Sequence, residues 1–327
     1  MVLTARLAWA ALLLSAAPRS WAQEPPEPPG QPASGPGGSD YAHAAYTSEC
    51  FGRGGDAFWL FIPAEPRPAE CPVVALIHGA MELDPNTYGA WINHLARRGN
   101  AVVFPAYQSG PRTPPGDFTR NAARAIALAL TRLRTAEAVK PAEGQFALAG
   151  HGEGAAIAAN LAAGWSELGI PQAKAVLCVW PEHAGTQDPR REVPLWDLEA
   201  ISCETVLVCL LGESASVEEK RLARRLLDEA SAVPWTNKNL VTAHSDDHGR
   251  PELIADRRFP TGQLGSGLQV NALDYFACWK LFDGLADSAF RGQNTEFALG
   301  DTPEQRFMGT WSDDTPVREL LVFTGAE

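Results

Sequence analysis

The stretch Gln145-Phe146-Ala147-Leu148-Ala149-Gly150-His151-Gly152-Glu153-Gly154, running on into Ala155-Ala156-Ile157-Ala158-Ala159-Asn160-Leu161-Ala162-Ala163, decides how this chain is read. Gln145 to Ala149 is a short apolar run with the length of a buried strand, and glycines at three alternate positions then turn the chain. Gly154 to Ala163 carries such small side chains that a helix there could lie close against a sheet. Strand, sharp turn and helix follow with no spacer. The middle residue of such a turn is driven into a sparsely populated backbone region that costs most residues about 1–3 kcal/mol. Gly152 adopts it freely.

Outward from this centre, short β-branched runs alternate with helical patterns, the signature of a mostly parallel sheet with helices on both faces. The predicted strands are Ala57 to Ile62, Val73 to Ile77, Ala101 to Phe104, Gln145 to Ala149, Ala175 to Val179, Thr205 to Leu211 and Asn239 to Ala243. Predicted helices are Tyr88 to Arg98, Phe118 to Leu133 with Asp117 as its cap, Gly154 to Ala163, and Val217 to Ala230. Right-handed crossovers bring the carboxyl ends of the strands, and with them the motifs, to one rim. The excursion Pro181 to Ile201 is the expected lid or rim, and Tyr88, Trp91, Tyr107, Trp180 and Trp196 fall where aromatics could line an apolar pocket, core packing being the favoured reading of any single one.

Three segments together, PVVALIHGAMELDPNTYGAWINHLARRGNAVVFPAYQ, GHGEG and SDDHGRPELIAD, resemble exported bacterial α/β-hydrolases of the dienelactone hydrolase or esterase type, over about Asp56 to Phe282. The resemblance implies an α/β-hydrolase fold in which Gly150-His151-Gly152-Glu153-Gly154 is the nucleophile elbow. It also marks a departure, because Gly152 stands where such enzymes carry the serine. By the same resemblance the backbone N–H groups of Ala80 and Glu153 form the oxyanion hole, and His248 takes the histidine's place, with His244 second. For the acid, Glu213 is the carboxylate in reach after the sixth predicted strand; it reads equally as a solvated loop acid, and Glu182 is the alternative after the preceding strand. Losing a serine nucleophile costs on the order of a millionfold in turnover. The expectation is therefore a catalytically silent protein that keeps a small ester-like or lipid-like ligand, or a protein partner. An active ester hydrolase using Glu153 or His248 is the second reading, and a purely structural domain the third.

The amino terminus reads as a secretory leader: Arg6, an apolar run from Leu7 to Ala17, and Ser20-Trp21-Ala22 as a cleavage signal, with cleavage expected after Ala22. Export, to the periplasm or beyond, is the expected destination. Residues 23–38, rich in proline and glycine, are expected to be a solvated linker ahead of one domain at 39–327. No segment has the roughly 20 apolar residues of a membrane span. The net charge is −12, and removing Arg6 and Arg19 with the leader makes it about −14, which argues against nucleic acid as a partner. Export permits disulfides. Among Cys50, Cys71, Cys178, Cys203, Cys209 and Cys278, the first two are the best candidate pair. No spacing suggests a metal site, and no cofactor is expected.

Overall fold

A computed structural model describes residues 24–135, 139–182, 192–262 and 270–325. The expected leader and its cleavage point lie outside the described residues. The central sheet has the order β1-β2-β4-β3-β5-β6-β7-β8-β9. Its strands are β1 (Ala45–Phe51), β2 (Phe58–Ala64), β3 (Glu70–Ile77), β4 (Ala101–Pro105), β5 (Lys140–His151), β6 (Ala175–Val179), β7 (Val206–Gly212), β8 (Lys238–Ala243) and β9 (Leu321–Phe323). The six from β4 and β3 through β8 run parallel, β1 and β2 form an antiparallel hairpin at one edge, and β9 closes the other edge antiparallel. Every residue of β4, β6 and β7 is buried, as a parallel sheet covered on both faces requires.

Helices α2 (Pro115–Thr135) and α3 (Glu153–Ala163) pack side by side. Helix α1 (Gly89–Arg97) instead packs with the segment leading into α5 (Lys280–Arg291), while α4 (Val217–Glu229) lies on β7 and β8. Helix α2 starts earlier than its apolar stripe suggests, with Pro115 and Asp117 both in the first turn. Asp117 is thus no cap; its charge instead sits near the positive end of the helix. Helix α4 opens on a capping box, Ser216 and Glu219 each bonding the other's backbone N–H. The long element of π-helical turns Leu273–Trp279 and α5 has no counterpart among the predicted helices, because the buried polar residues Asp274, Lys280, Asp283 and Asp287 interrupt its apolar stripe. Strands β1 and β9, short or half-exposed edge pieces, were also not predicted.

Two expectations are overturned. Residues 24–38 are docked, not solvated: Gly37 N–H donates to Asp283 Oδ2 (2.8 Å), Arg250 N–H to the Pro26 carbonyl (2.8 Å), and Glu27 exchanges two bonds with Ser312 (2.9 and 3.0 Å). A chain poor in apolar residues is held here through its backbone, which composition does not reveal. Cys50 and Cys71 are both free, as are the other four. They sit in β1 and β3, with β2 and β4 between them, so they are more than about 14 Å apart at the usual strand spacing and far beyond disulfide reach.

Candidate functional site

The elbow is built by three neighbouring strand ends. Gly150 lies in register with Ile77 of β3 and with Cys178 of β6. Gly152 N–H donates to the Val179 carbonyl (3.0 Å), and the Gly152 carbonyl accepts from Glu182 N–H (3.4 Å), pinning the turn to the end of β6. Gly152 itself has φ 59° and ψ −124°, the conformation that only glycine takes without strain. A Cβ on Gly154 would lie 2.3 Å from the Ile77 carbonyl oxygen, and one on Gly150 2.1 Å from that of Gly154, so the flanking glycines allow α3 to start hard against the sheet. Strand order and elbow together settle the architecture. This is an α/β-hydrolase fold.

No family model and no curated protein matches the chain. Among solved structures, one described as a "putative dienelactone hydrolase" from Klebsiella pneumoniae subsp. pneumoniae is 14% identical, with a TM-score of 0.43, over 61% of this chain and 87% of that one.

The position beside Gly152 is taken by a carboxyl group. A Cβ on Gly152 would stand 2.9 Å from Glu182 Oε1, so a carboxylate fills the place where a serine side chain would begin. Glu182 is delivered there by Trp180, whose φ of 48° is strained for a non-glycine residue, and whose indole is clamped by Glu219 (2.8 Å) and Phe259. On the other side Met81, at φ 59°, ends the loop that brings in Glu82. Glu82 accepts from Gly79 N–H (3.2 Å) and from the Tyr88 hydroxyl, and lies 3.4 Å from His151 Nδ1. His151 Nε2 donates to the Arg257 carbonyl (2.8 Å), and its Nδ1 is 2.7 Å from the Tyr88 hydroxyl oxygen. The Tyr88 hydroxyl, which donates to Glu82, thus bridges the His151 ring and the Glu82 carboxyl. Burial works to raise the Glu82 pKa, but hydrogen bonding and charge from His151, with Tyr88 and Gly79 adding, hold it down at about 2.

Two further carboxyls behave differently. Glu153, 3% exposed at the start of α3, is pushed up to about 7 by burial and then by the charge of Glu182. Glu182 is also raised, by burial above all, against the opposing pull of Arg257, whose guanidinium is 3.7 Å away. Among the described residues no donor or cation meets the Glu153 carboxyl, and the backbone N–H groups of Ala80 and Glu153 meet no acceptor. His78, packed between Phe104 and Tyr107, leaves Nε2 unpaired in the interior, and burial lowers its pKa to about 4. No group of three His, Cys, Asp or Glu side chains among the described residues is arranged to hold a metal ion.

Neither His248 nor His244 makes a hydrogen bond or ion pair with an elbow residue among the described residues. His248 Nε2 pairs with Asp313 (2.9 Å) beside Trp311 in the carboxyl-terminal tail. Glu213 does bind a histidine, but it is His244, through Nδ1 at 2.9 Å, and Arg318 joins them. Gly212 and Ala243 are register partners in β7 and β8, so the residues after them leave the sheet side by side. The chain then folds back through a bridge between Asp246 and Leu253 and delivers the Arg257 carbonyl to His151 of the elbow. Tyr88, Trp91, Tyr107 and Trp180 are buried, so these aromatics are core packing, in which the Tyr88 and Tyr107 hydroxyls also bond the His78–Gly79 turn. Of the expected lid, Pro181, Glu182 and 192–201 are described, and Val193 and Leu198 are buried within it. Sequence reasoning missed Glu82, the contact of His151 with Glu82 and Tyr88, and Arg257; the lone signal for Glu82 was its place three residues after Gly79 in the loop of the expected oxyanion hole.

Proposed function

We propose that this is an exported, catalytically silent α/β-hydrolase-fold protein whose elbow cleft binds a ligand without cleaving an ester. The observation that carries the reading is the Glu182 carboxylate standing 2.9 Å from the point where a serine Cβ would be. The two acid–histidine pairs, Glu213–His244 and His248–Asp313, have no partner in the ring of residues around Gly152. The cleft retains the backbone N–H groups of Ala80 and Glu153, which need no side chain to hold a carbonyl oxygen.

A second reading has one observation in its favour: a carboxyl near 7, as at Glu153, suits a general base acting on water at neutral pH. The test is hydrolysis of short and medium acyl esters by the natural protein beside Glu153→Gln. The expected result is no turnover above background in either. Enzyme-like turnover lost in Glu153→Gln overturns the silent reading in favour of the second.

A further inference from the structure

The charges around the elbow form pairs with one member left over. Glu82 is matched by His151, bridged by Tyr88, and Glu182 by Arg257. Glu153 is the remainder: a carboxyl 3% exposed, facing Glu182 and Tyr107, with no hydrogen-bond donor or cation among the described residues. An ionised carboxylate buried without a partner is costly, so in the free protein the balance shifts toward the protonated form. A bound cation would do the same work.

Arg257 shows what the site accepts. Its guanidinium meets Glu182 loosely, at 3.7 Å and with the arginine side chain 52% exposed, so the chain's own cation is placed at the rim and is cheap to displace. Glu182 is held in place at the cost of a strained Trp180, and strain of this kind collects at ligand sites. An ester carbonyl can meet only the protonated carboxyl and a lipid tail neither form, whereas a group with three N–H donors and a positive charge answers the ionised one directly.

We infer that the elbow site binds the primary ammonium group of a small-molecule amine, with Glu153 as its principal carboxylate and Glu182 beside it. The inference rests on the reading of the cleft as a ligand site and names the ligand's chemistry. Proton and ammonium compete for Glu153, under the field of Glu82, Glu182, His151, Arg257 and the Tyr107 hydroxyl. Binding therefore strengthens as pH rises from 5.5 to 8.

The test is calorimetric titration of the mature protein with propylammonium chloride, 1-propanol and sodium propionate at fixed ionic strength. Propylammonium is expected to bind at pH 8 and at least tenfold more weakly at pH 5.5, with propanol and propionate giving no saturable heat. Glu153→Gln should weaken binding at least tenfold and remove the pH dependence, Glu182→Gln should weaken it less, and Glu204→Gln, at an exposed surface pair with Lys174, should change nothing. Equal binding of propanol, unchanged affinity in Glu153→Gln, or no heat from propylammonium each overturns the inference. Should Glu153→Gln fail to fold, Glu182→Gln and the pH profile of the natural protein decide. Ester turnover by the natural protein would defeat the silent reading while leaving the amine titration to stand or fall by itself.

Discussion

Restoring the missing nucleophile, Gly152→Ser, should yield a less stable protein and no esterase. Two terms set the magnitude. A side chain at φ 59° and ψ −124° carries about 1–3 kcal/mol of backbone strain. The new Cβ also displaces Glu182 Oε1 from 2.9 Å, but that atom is the end of a flexible side chain and retreats at little cost. For a domain of this size the strain lowers Tm by roughly 2–5 °C. Gly152→Ala should fall by a similar amount, since the strain belongs to the backbone and not to the hydroxyl. At an unstrained glycine the same change stabilises by about 0.4–1 kcal/mol, so the sign of the shift is decisive. The assay is calorimetric unfolding of the three proteins, with ester hydrolysis measured on the same samples. A rise in Tm for Gly152→Ala refutes the elbow geometry. Turnover in Gly152→Ser that disappears with His244→Ala or His248→Ala refutes the claim that neither histidine serves the elbow.

Three other outcomes follow from the same contacts. Because the Glu153 carboxyl is raised from 4.5 to about 7 in the folded protein, its contribution to stability is complete below about 4.5 and is lost as pH rises through 7. Urea midpoints of the natural protein should therefore fall, relative to Glu153→Gln, by the equivalent of on the order of 2 kcal/mol between pH 4.5 and 8; parallel profiles would contradict the burial of this group. Asp283→Ala should cost about 3–5 kcal/mol by stranding His94 (2.9 Å) and Arg98 (3.2 Å) and freeing Gly37, and removing residues 24–38 should lower Tm; a truncated protein melting like one that keeps them would restore the linker reading. In thiol titration the denatured protein should react at all six cysteines and the native protein at the exposed Cys50 and Cys203 alone, whereas four reactive thiols after denaturation would indicate a disulfide.

The chain's own order of residues determined the sheet's parallel core and the elbow. Buried strands such as Val73 to Ile77 and Ala175 to Val179 are continuous apolar runs, and three alternate glycines between a strand and an alanine-rich helix admit few backbone paths. Local periodicity carried no comparable signal for the helix containing Lys280 and Asp283, whose buried charges are answered by partners far away: the carbonyls of Glu304, Gln305 and Phe307 for the first, Gly37, His94 and Arg98 for the second. The same holds at the site. That Glu213 meets His244 while His248 meets Asp313 depends on how β7 and β8 end in register and where the tail returns, separations of 31 and 65 residues. Only tertiary structure brought Glu82, His151, Glu182 and Arg257, four residues from three loops and one strand end, around Gly152. Missing serine is legible in one dimension. Which charge lacks a partner is a property of three, because pairing depends on distance and burial rather than on neighbours along the chain.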